Sequence, residues 1–454
     1  MFFSGSKDKF ENGFSQESDI FKRKPLFDLI MNFVNDSPES GLVLALDDRW
    51  GNGKTSFLKM MTSEINNDKQ YNINVIYYDA FENDYHTDPF TSLTSEIYQN
   101  LNNQKSNFEK VQNSLVEAGK KVGAGFLKGG INYAINTATG GLLNGSVIES
   151  AKDTISKAIN DPIEKYIEDK IKSGEKEKAD IYNFKKVLKS IYNEHNTKTL
   201  FIIDELDRAR PDFSLDLLEK IKHLFSVEGF IFMLSVNREQ FERSIEQRYG
   251  KIDSRTYLNK FVNYWFNLPK VNALSENVSS GYKSSTTTLH LMNLDKDIKF
   301  LSRNGELINT LSFLIDINEY SLREAERCYA LLCAIDNKEA IYNFTSNTYQ
   351  TLLAFVAYLK VVNPELLADI SHKRKSKSDV LKFLNPKSIE DKKFSFNLYP
   401  VIHILNYHYA SDEELEKART DKIYSDIEHF LFGNKRIDVF SKMNNIIENL
   451  HIGQ

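Results

Sequence analysis

The chain predicts an α/β core built on a parallel sheet, followed by a mostly α-helical region. Three observations carry that prediction. Short apolar runs of strand length recur up to about Pro269 and end in polar or acidic turns. Helical stretches separate these runs, which requires parallel crossover connections. Beyond about Gly305, Leu, Ile, Phe and Tyr recur at helical spacing and strand-like alternation is scarce.

Taken in order, Lys24 to Val34 carries Leu26, Ile30, Phe33 and Val34 at helical spacing, and Asn35-Asp36-Ser37-Pro38 ends that helix. Gly41 to Leu46 is a first strand, which runs through the turn Asp47 to Gly53 straight into the helical FLKMMTSEI. Asn74 to Tyr78 is a second strand, with a helix through Leu93, Ile97 and Leu101 after it. A long insertion then runs roughly from Asn102 to Tyr182. Thr199 to Ile203 and Phe230 to Val236 are the third and fourth strands, and Tyr264 to Leu268, before Pro269, is a short fifth. From Val271 to about Gly305 the chain is richer in Ser, Thr and Asn, with the run Ser284 to Thr288, and a domain boundary is expected there. The expected organisation is a leader and first part of the core at 1–102, a Gly-rich helical insertion at 103–184, the second part of the core at 185–270, and a helical lid and C-terminal domain at 271–454.

The 454 residues are 41% hydrophobic and 27% charged, a globular composition that excludes a disordered or fibrous chain. A net charge of −5 excludes a polycation that coats nucleic acid indiscriminately. Two cysteines, Cys328 and Cys333, cannot build a disulfide framework or a four-ligand zinc site, and a reduced cytoplasmic setting is expected. Lys7, Asp8 and Lys9 interrupt the N-terminus before any apolar stretch of useful length, which argues against a secretory signal. No uncharged apolar run is long enough for an integral membrane span.

Chemistry begins at Gly53-Lys54-Thr55, between an apolar strand and a helix. A triphosphate needs converging backbone N–H donors, a cation over its β- and γ-phosphates and a hydroxyl on Mg²⁺, and such a turn supplies all three. Gly51 and Gly53 let the backbone approach, Lys54 brings charge and Thr55 is the metal ligand; Trp50, Asn52 and Ser56 complete the candidate loop. The usual G-x-x-x-x-G-K-[ST] spacing would put a glycine where Asp48 stands. That carboxylate weakens nucleotide affinity unless it points away or pairs with Arg49. In FIIDELDRAR, an apolar strand ends in Asp204, suited to hold Mg²⁺ through water, and in Glu205, placed to polarise an attacking water. The competing explanation is a charged helix start favoured by the helix dipole. Asn237, ending the fourth strand, is a γ-phosphate or water ligand, a helix N-cap, or both. Tyr320 to Arg327 opens a later helix whose Arg323 either reaches back as a lid or belongs to a solvated face.

Together, WGNGKTS, DAFENDYHTDPF, DELDRARP, SVNRE, YLNKFVNYWFNLP and SLREAER occur in the order seen in KAP-family P-loop NTPases, which the chain resembles from about Ile20 to Arg327. The resemblance implies an additional-strand NTPase core with sheet order 5-1-4-3-2 and a helical domain after it. It also implies phosphate-loop roles for Lys54 and Thr55, a magnesium role for Asp204, a catalytic base in Glu205 and a sensor-like Asn237. Arg323, with Arg327 behind it, matches the later arginine motif, and Asp207 and Arg208 match an LDR element that serves subunit contact or signal transmission. ATP and Mg²⁺ are the implied cofactors, and defence against phage the implied setting.

Many members of that family carry membrane hairpins where this chain has its insertion. Here Gly119, Gly123, Gly125, Gly129, Gly130, Gly140, Gly141 and Gly145 are interrupted by Lys120, Lys121 and Lys128. A lysine at the bilayer centre costs about 2.5–3.5 kcal/mol, so a mobile loop or small helical hairpin is expected, with peripheral membrane contact or a partner surface as the rival. The basic run His372 to Lys377 suits a solvated loop or contact with a nucleic-acid backbone. The function expected is a cytoplasmic Mg-dependent ATPase coupling nucleotide state to conformational change, self-association or an effector. Its rivals are a nucleotide-gated interaction scaffold and a nucleic-acid-stimulated motor.

Overall fold

Five strands form one all-parallel sheet: β1 (Leu42–Asp47), β2 (Ile73–Asp79), β3 (Lys198–Asp204), β4 (Phe230–Val236) and β5 (Tyr264–Asn267), in the order β2-β3-β4-β1-β5. That is the expected order 5-1-4-3-2, seen from the other edge. The computed structural model describes residues 10–37, 41–86, 88–103, 109–138, 160–271, 285–296, 305–334, 346–384, 392–430 and 440. The chain divides into an α/β unit (Met1–Ser15, Lys24–Asp48, Thr55–Asn267) and a helical unit (Gln16–Arg23, Arg49–Lys54, Leu268–Gln454).

Within the α/β unit the central strands read as continuous apolar runs because both their faces are covered. Every residue of β4 is buried, and so is β3 after Lys198. The register sets Asp79 opposite Asp204 and Asp47 opposite Val236, so polar groups gather at the carboxyl ends of the strands. α1 (Lys24–Asn35) buries Leu26, Phe27, Ile30, Met31 and Val34. Lys198 Nζ donates to the Val34 and Asn35 carbonyls at 3.1 and 2.7 Å and satisfies the end of that helix with a cation. α2 (Lys54–Asn67) follows β1, and α3 (Pro89–Asn103) follows β2.

The insertion is helical where it is described: α4 (Glu109–Ala138) and α5 (Asn160–His195) pack on each other. Val111, Leu115, Ala118 and Val122 of α4 join the core, while Lys120 and Lys121 face solvent. Five of the eight singled-out glycines lie inside α4; Gly140, Gly141 and Gly145 fall outside the described residues. Among the described residues no helix is long and apolar enough to cross a membrane. Phe184 of α5 meets Phe90 of α3 at 5.0 Å and Phe225 at 5.5 Å between ring centroids. Burying each such ring contributes about 1.5–3 kcal/mol. α6 (Pro211–Lys220), a π-helical turn (Ile221–Phe225), α7 (Arg238–Tyr249) and α8 (Ser254–Leu258) complete the unit.

The helical unit holds α9 (Thr286–Leu294), α10 (Gly305–Ile317), α11 (Leu322–Cys333), α12 (Asn347–Val362), α13 (Pro364–Ser371), α14 (Lys377–Phe383), α15 (Lys392–Tyr409), α16 (Asp412–Thr420) and α17 (Ser425–Phe430). α12 is buried from Tyr349 to Leu359 without a break, so it is the central helix, with α10, α11, α13, α15 and α17 against it. From Ser285 on, the Ser/Thr run forms the cap and first turn of α9, while Ser284 lies outside the described residues. Ser285 Oγ accepts the Thr288 N–H at 3.1 Å, and Thr286 Oγ1 accepts the Val271 N–H at 2.7 Å, which gives a polar run a buried helical use. Residues 372–376 form an exposed turn between α13 and α14, where Arg374 pairs with Asp369 at 3.0 Å.

Candidate functional site

β1 delivers the chain to its carboxyl end, where the Asp48 N–H donates to the Val236 carbonyl at 3.2 Å. The loop that follows, up to the first residue of α2, belongs to the helical unit. Gly51 and Gly53 have φ of 87° and 88°, in the region that L side chains rarely adopt. A β-carbon on Gly51 would also lie 2.6 Å from both Arg323 Cβ and Ser321 Oγ, so conformation and close approach both require glycine there. Asn52 is the hub of the loop. Its N–H donates to the Arg49 carbonyl at 3.4 Å, and its Oδ1 accepts the Leu322 N–H at 3.3 Å, one of the unpaired donors at the start of α11. Its own carbonyl accepts from both terminal nitrogens of Arg23, each at 3.2 Å.

Arg23 is only 2% exposed, with its guanidinium 4.5 Å from the Phe21 ring centroid and its N–H donating to Asp19 at 2.7 Å. Arg49 donates to the Glu319 carbonyl and pairs with the Glu319 carboxylate at 3.0 Å. Lys54 is 7% exposed, and its Nζ lies 3.4 Å from the Arg49 carbonyl oxygen. Thr55 and Ser56 stand half-buried in the first turn of α2, and Trp50 is exposed. Arg323 is exposed and Arg327 half-buried on α11, whose start is fixed by the Ser321 N–H donating to Glu324 at 2.9 Å.

A second cluster occupies the carboxyl end of β3 in the α/β unit. Asp204 is 1% exposed, and a carboxylate there needs partners. Its Oδ2 accepts the Tyr77 hydroxyl at 2.7 Å and its Oδ1 accepts the Glu205 N–H at 2.9 Å. Burial, and then the Asp204 charge, push the Tyr77 phenol far above its ordinary pKa, so it remains a donor. Glu205 has φ of 56°, the left-handed region, which costs a non-glycine residue about 1–2 kcal/mol. Its carboxylate pairs with Arg208 at 2.6 Å. Burial raises the Glu205 pKa, and Arg208 pulls it part of the way back.

Around that tip, Asp79 accepts the N–H groups of Phe81 and Glu82, both at 3.0 Å, and the Ala80 N–H donates to the Asp204 carbonyl at 2.9 Å. Arg210 holds the same β2–α3 loop through an N–H to Asp84 at 2.9 Å and a guanidinium bond to the His86 carbonyl at 3.3 Å. Asn237 is buried and caps α7, accepting the Gln240 N–H at 3.4 Å, so its capping role is real. Next to it the Arg238 N–H donates to Asp47 at 2.9 Å.

The sequence-predicted residues thus fall into two groups. Gly51, Asn52, Gly53 and Lys54 gather with Arg323 around the loop, while Asp204, Glu205 and Asn237 share the carboxyl edge of the sheet. Arg23 and Tyr77 lie outside every motif read from the sequence, and Asp79 opens DAFENDYHTDPF without a role of its own there. Nothing in FKRKP distinguishes the one buried cation from its neighbours, but a tyrosine two residues before the end of a strand that flanks an acidic strand was a usable signal. As donors, the Thr55 hydroxyl and the remaining Asp204 lone pairs are the hard oxygens a divalent cation such as Mg²⁺ takes. Among the described residues no group of three or more His, Cys, Asp or Glu is placed to hold a metal ion.

A family model described as the KAP family P-loop domain matches residues 23–363, most of the chain. The chain belongs to the KAP family of P-loop NTPases. The match runs from the buried Arg23 to Asn363, the residue after the central helix α12. No curated protein matches this KAP NTPase. Among solved structures, the ORC2 protein of Aeropyrum pernix in its ADPNP and ADP complexes is similar at a TM-score of 0.37 and 10% identity, over 86% of each chain.

Proposed function

We propose that this KAP NTPase is a Mg²⁺-dependent ATPase whose nucleotide state is relayed to its helical unit. The observation that carries the reading is the tip of β3: a fully buried carboxylate, Asp204, followed by a glutamate held at positive φ with a raised pKa. Strained backbone of this kind persists where surrounding bonds enforce it, as the bonds to Asp204 do here. In this reading the loop N–H groups and Lys54 bind the β- and γ-phosphates, and Thr55 and Asp204 hold the cation. Bound Mg²⁺ would neutralise charge on the phosphate oxygens. Glu205 takes a proton from the attacking water, Asn237 orients that water while capping α7, and Arg323 faces the developing charge.

Relay to the helical unit follows from Asn52. Phosphate drawing on the loop N–H groups moves a residue whose side chain holds the start of α11. Within the same proposal, residues 103–184 are an insertion offering a partner or peripheral membrane surface, and residues 271–454 are the responding domain. The cellular role proposed from the family resemblance is defence against phage, acting through self-association or an effector; plaque counts with and without Lys54→Ala test it.

Phosphate release tests the chemistry. Wild type should turn over Mg-ATP, with GTP as the comparison, and Glu205→Gln should lose about 10²–10⁴-fold in rate while keeping ATP affinity. Unchanged turnover in Glu205→Gln would remove the base from its role.

A further inference from the structure

We propose that Tyr77 is a positioning residue that fixes the Asp204 carboxylate for a nucleotide-bound divalent cation and, through the same carboxylate, keeps Glu205 in its left-handed conformation. This inference rests on the metal role proposed for Asp204. Neither the loop motif nor the acidic strand motif includes Tyr77, which lies on the edge strand β2.

Geometry comes first. β2 and β3 are parallel, with Tyr77 opposite Ile202 and Asp79 opposite Asp204. Tyr77 and Asp204 are therefore diagonal neighbours on one face of the sheet, a spacing that only a long side chain spans. The hydroxyl closes it to 2.7 Å, in the range of a strong bond to a charged acceptor.

Two bonds define the carboxylate plane, because Oδ2 takes the phenol and Oδ1 takes the Glu205 N–H. A carboxylate offers about four lone-pair directions, so two remain for a cation or its water. With one bond removed, the terminal torsion of aspartate has a broad, nearly flat profile and no longer holds those directions. Glu205 is tied to the same group. Its left-handed backbone is held by the N–H bond to Oδ1, so loosening the carboxylate loosens the proposed base as well. Loss of the phenol also leaves a buried anion one donor short, the situation in which second-layer partners of metal ligands matter most.

The test is Mn²⁺ binding to the full-length protein loaded with ADP, read by electron paramagnetic resonance for wild type, Tyr77→Phe and Asp204→Asn. ADP affinity in chelator and thermal unfolding are measured on the same samples. Tyr77→Phe should weaken Mn²⁺ by about tenfold, Asp204→Asn by at least as much, and ADP affinity in chelator should be equal in all three. Turnover with saturating Mg-ATP should also fall in Tyr77→Phe, with the KM for ATP unchanged. Weakening by Asp204→Asn together with wild-type Mn²⁺ affinity in Tyr77→Phe overturns the Tyr77 role alone, and a lowered melting temperature beside that unchanged affinity would mark a purely structural tyrosine. Wild-type Mn²⁺ affinity in Asp204→Asn overturns the metal role of Asp204 and the Tyr77 role with it.

Discussion

The loop after β1 and the tip of β3 are both short turns that follow buried strands, yet they are held by different means. The tip is held from within the sheet: Asp204 bonds its own successor, Tyr77 reaches it from the adjacent strand, and Glu205 pairs three residues on with Arg208. The loop is held by residues outside the sheet, with Arg23 on its carbonyl and the start of α11, some 270 residues away, on the Asn52 side chain. A turn braced by its own sheet keeps its geometry as long as the sheet does. One braced by an N-terminal segment and a distant helix reports its state to both. In the proposed ATPase, that contrast assigns turnover to the rigid tip and signalling to the responsive loop.

Breaking the loop by charge should have the largest effect. Lys54→Ala removes a nearly buried cation, and fluorescent-nucleotide titration should show affinity lower by about a hundredfold, near 3 kcal/mol. Next comes Arg23→Met, which leaves the Asn52 carbonyl without those two donors. Chemical denaturation should show a loss of about 1–3 kcal/mol, and nucleotide affinity should fall as well, which a brace unrelated to the loop would not cause. Gly51→Ala should cost about 1–2 kcal/mol for the left-handed backbone, plus whatever Ser321 and Arg323 must yield, read by the same denaturation.

The smallest effect sharpens the other side of the comparison. Glu205 works as a base only when deprotonated, so turnover is lost as pH falls through its pKa. Burial has raised that pKa, so the acid limb of the rate profile should lie above the ordinary glutamate range. Arg208 opposes the rise, so Arg208→Ala should move the limb to still higher pH, with nucleotide affinity unchanged. A limb that stays in place would show that the ion pair does not govern the titrating group.

Much of this was legible in residue order. The apolar run before WGNGKTS became β1, the fourth strand fell at Phe230–Val236 as periodicity placed it, and the sheet has the order the family resemblance implied. Other features needed the packing to be read. Of the loop and the helical hairpin expected for the Gly-rich insertion, the described residues take the helical form, with five of its glycines inside α4. The polar run before Leu289 became the cap and first turn of α9, since Val271 and Asp316 supply its hydroxyl partners. For the candidate site, residue identity came from the motifs, while what holds each residue did not. The buried Arg23 and the Asp204 carboxylate depend on Asn52 and Tyr77, partners that no local window contains.

The most direct measurement is the identity of the nucleotide retained by the protein after incubation with Mg-ATP, determined by rapid desalting, acid quench and chromatography for wild type, Lys54→Ala and Glu205→Gln. The account predicts ADP on wild type, intact ATP on Glu205→Gln and neither on Lys54→Ala. ADP on Glu205→Gln, formed as fast as on wild type, would contradict it.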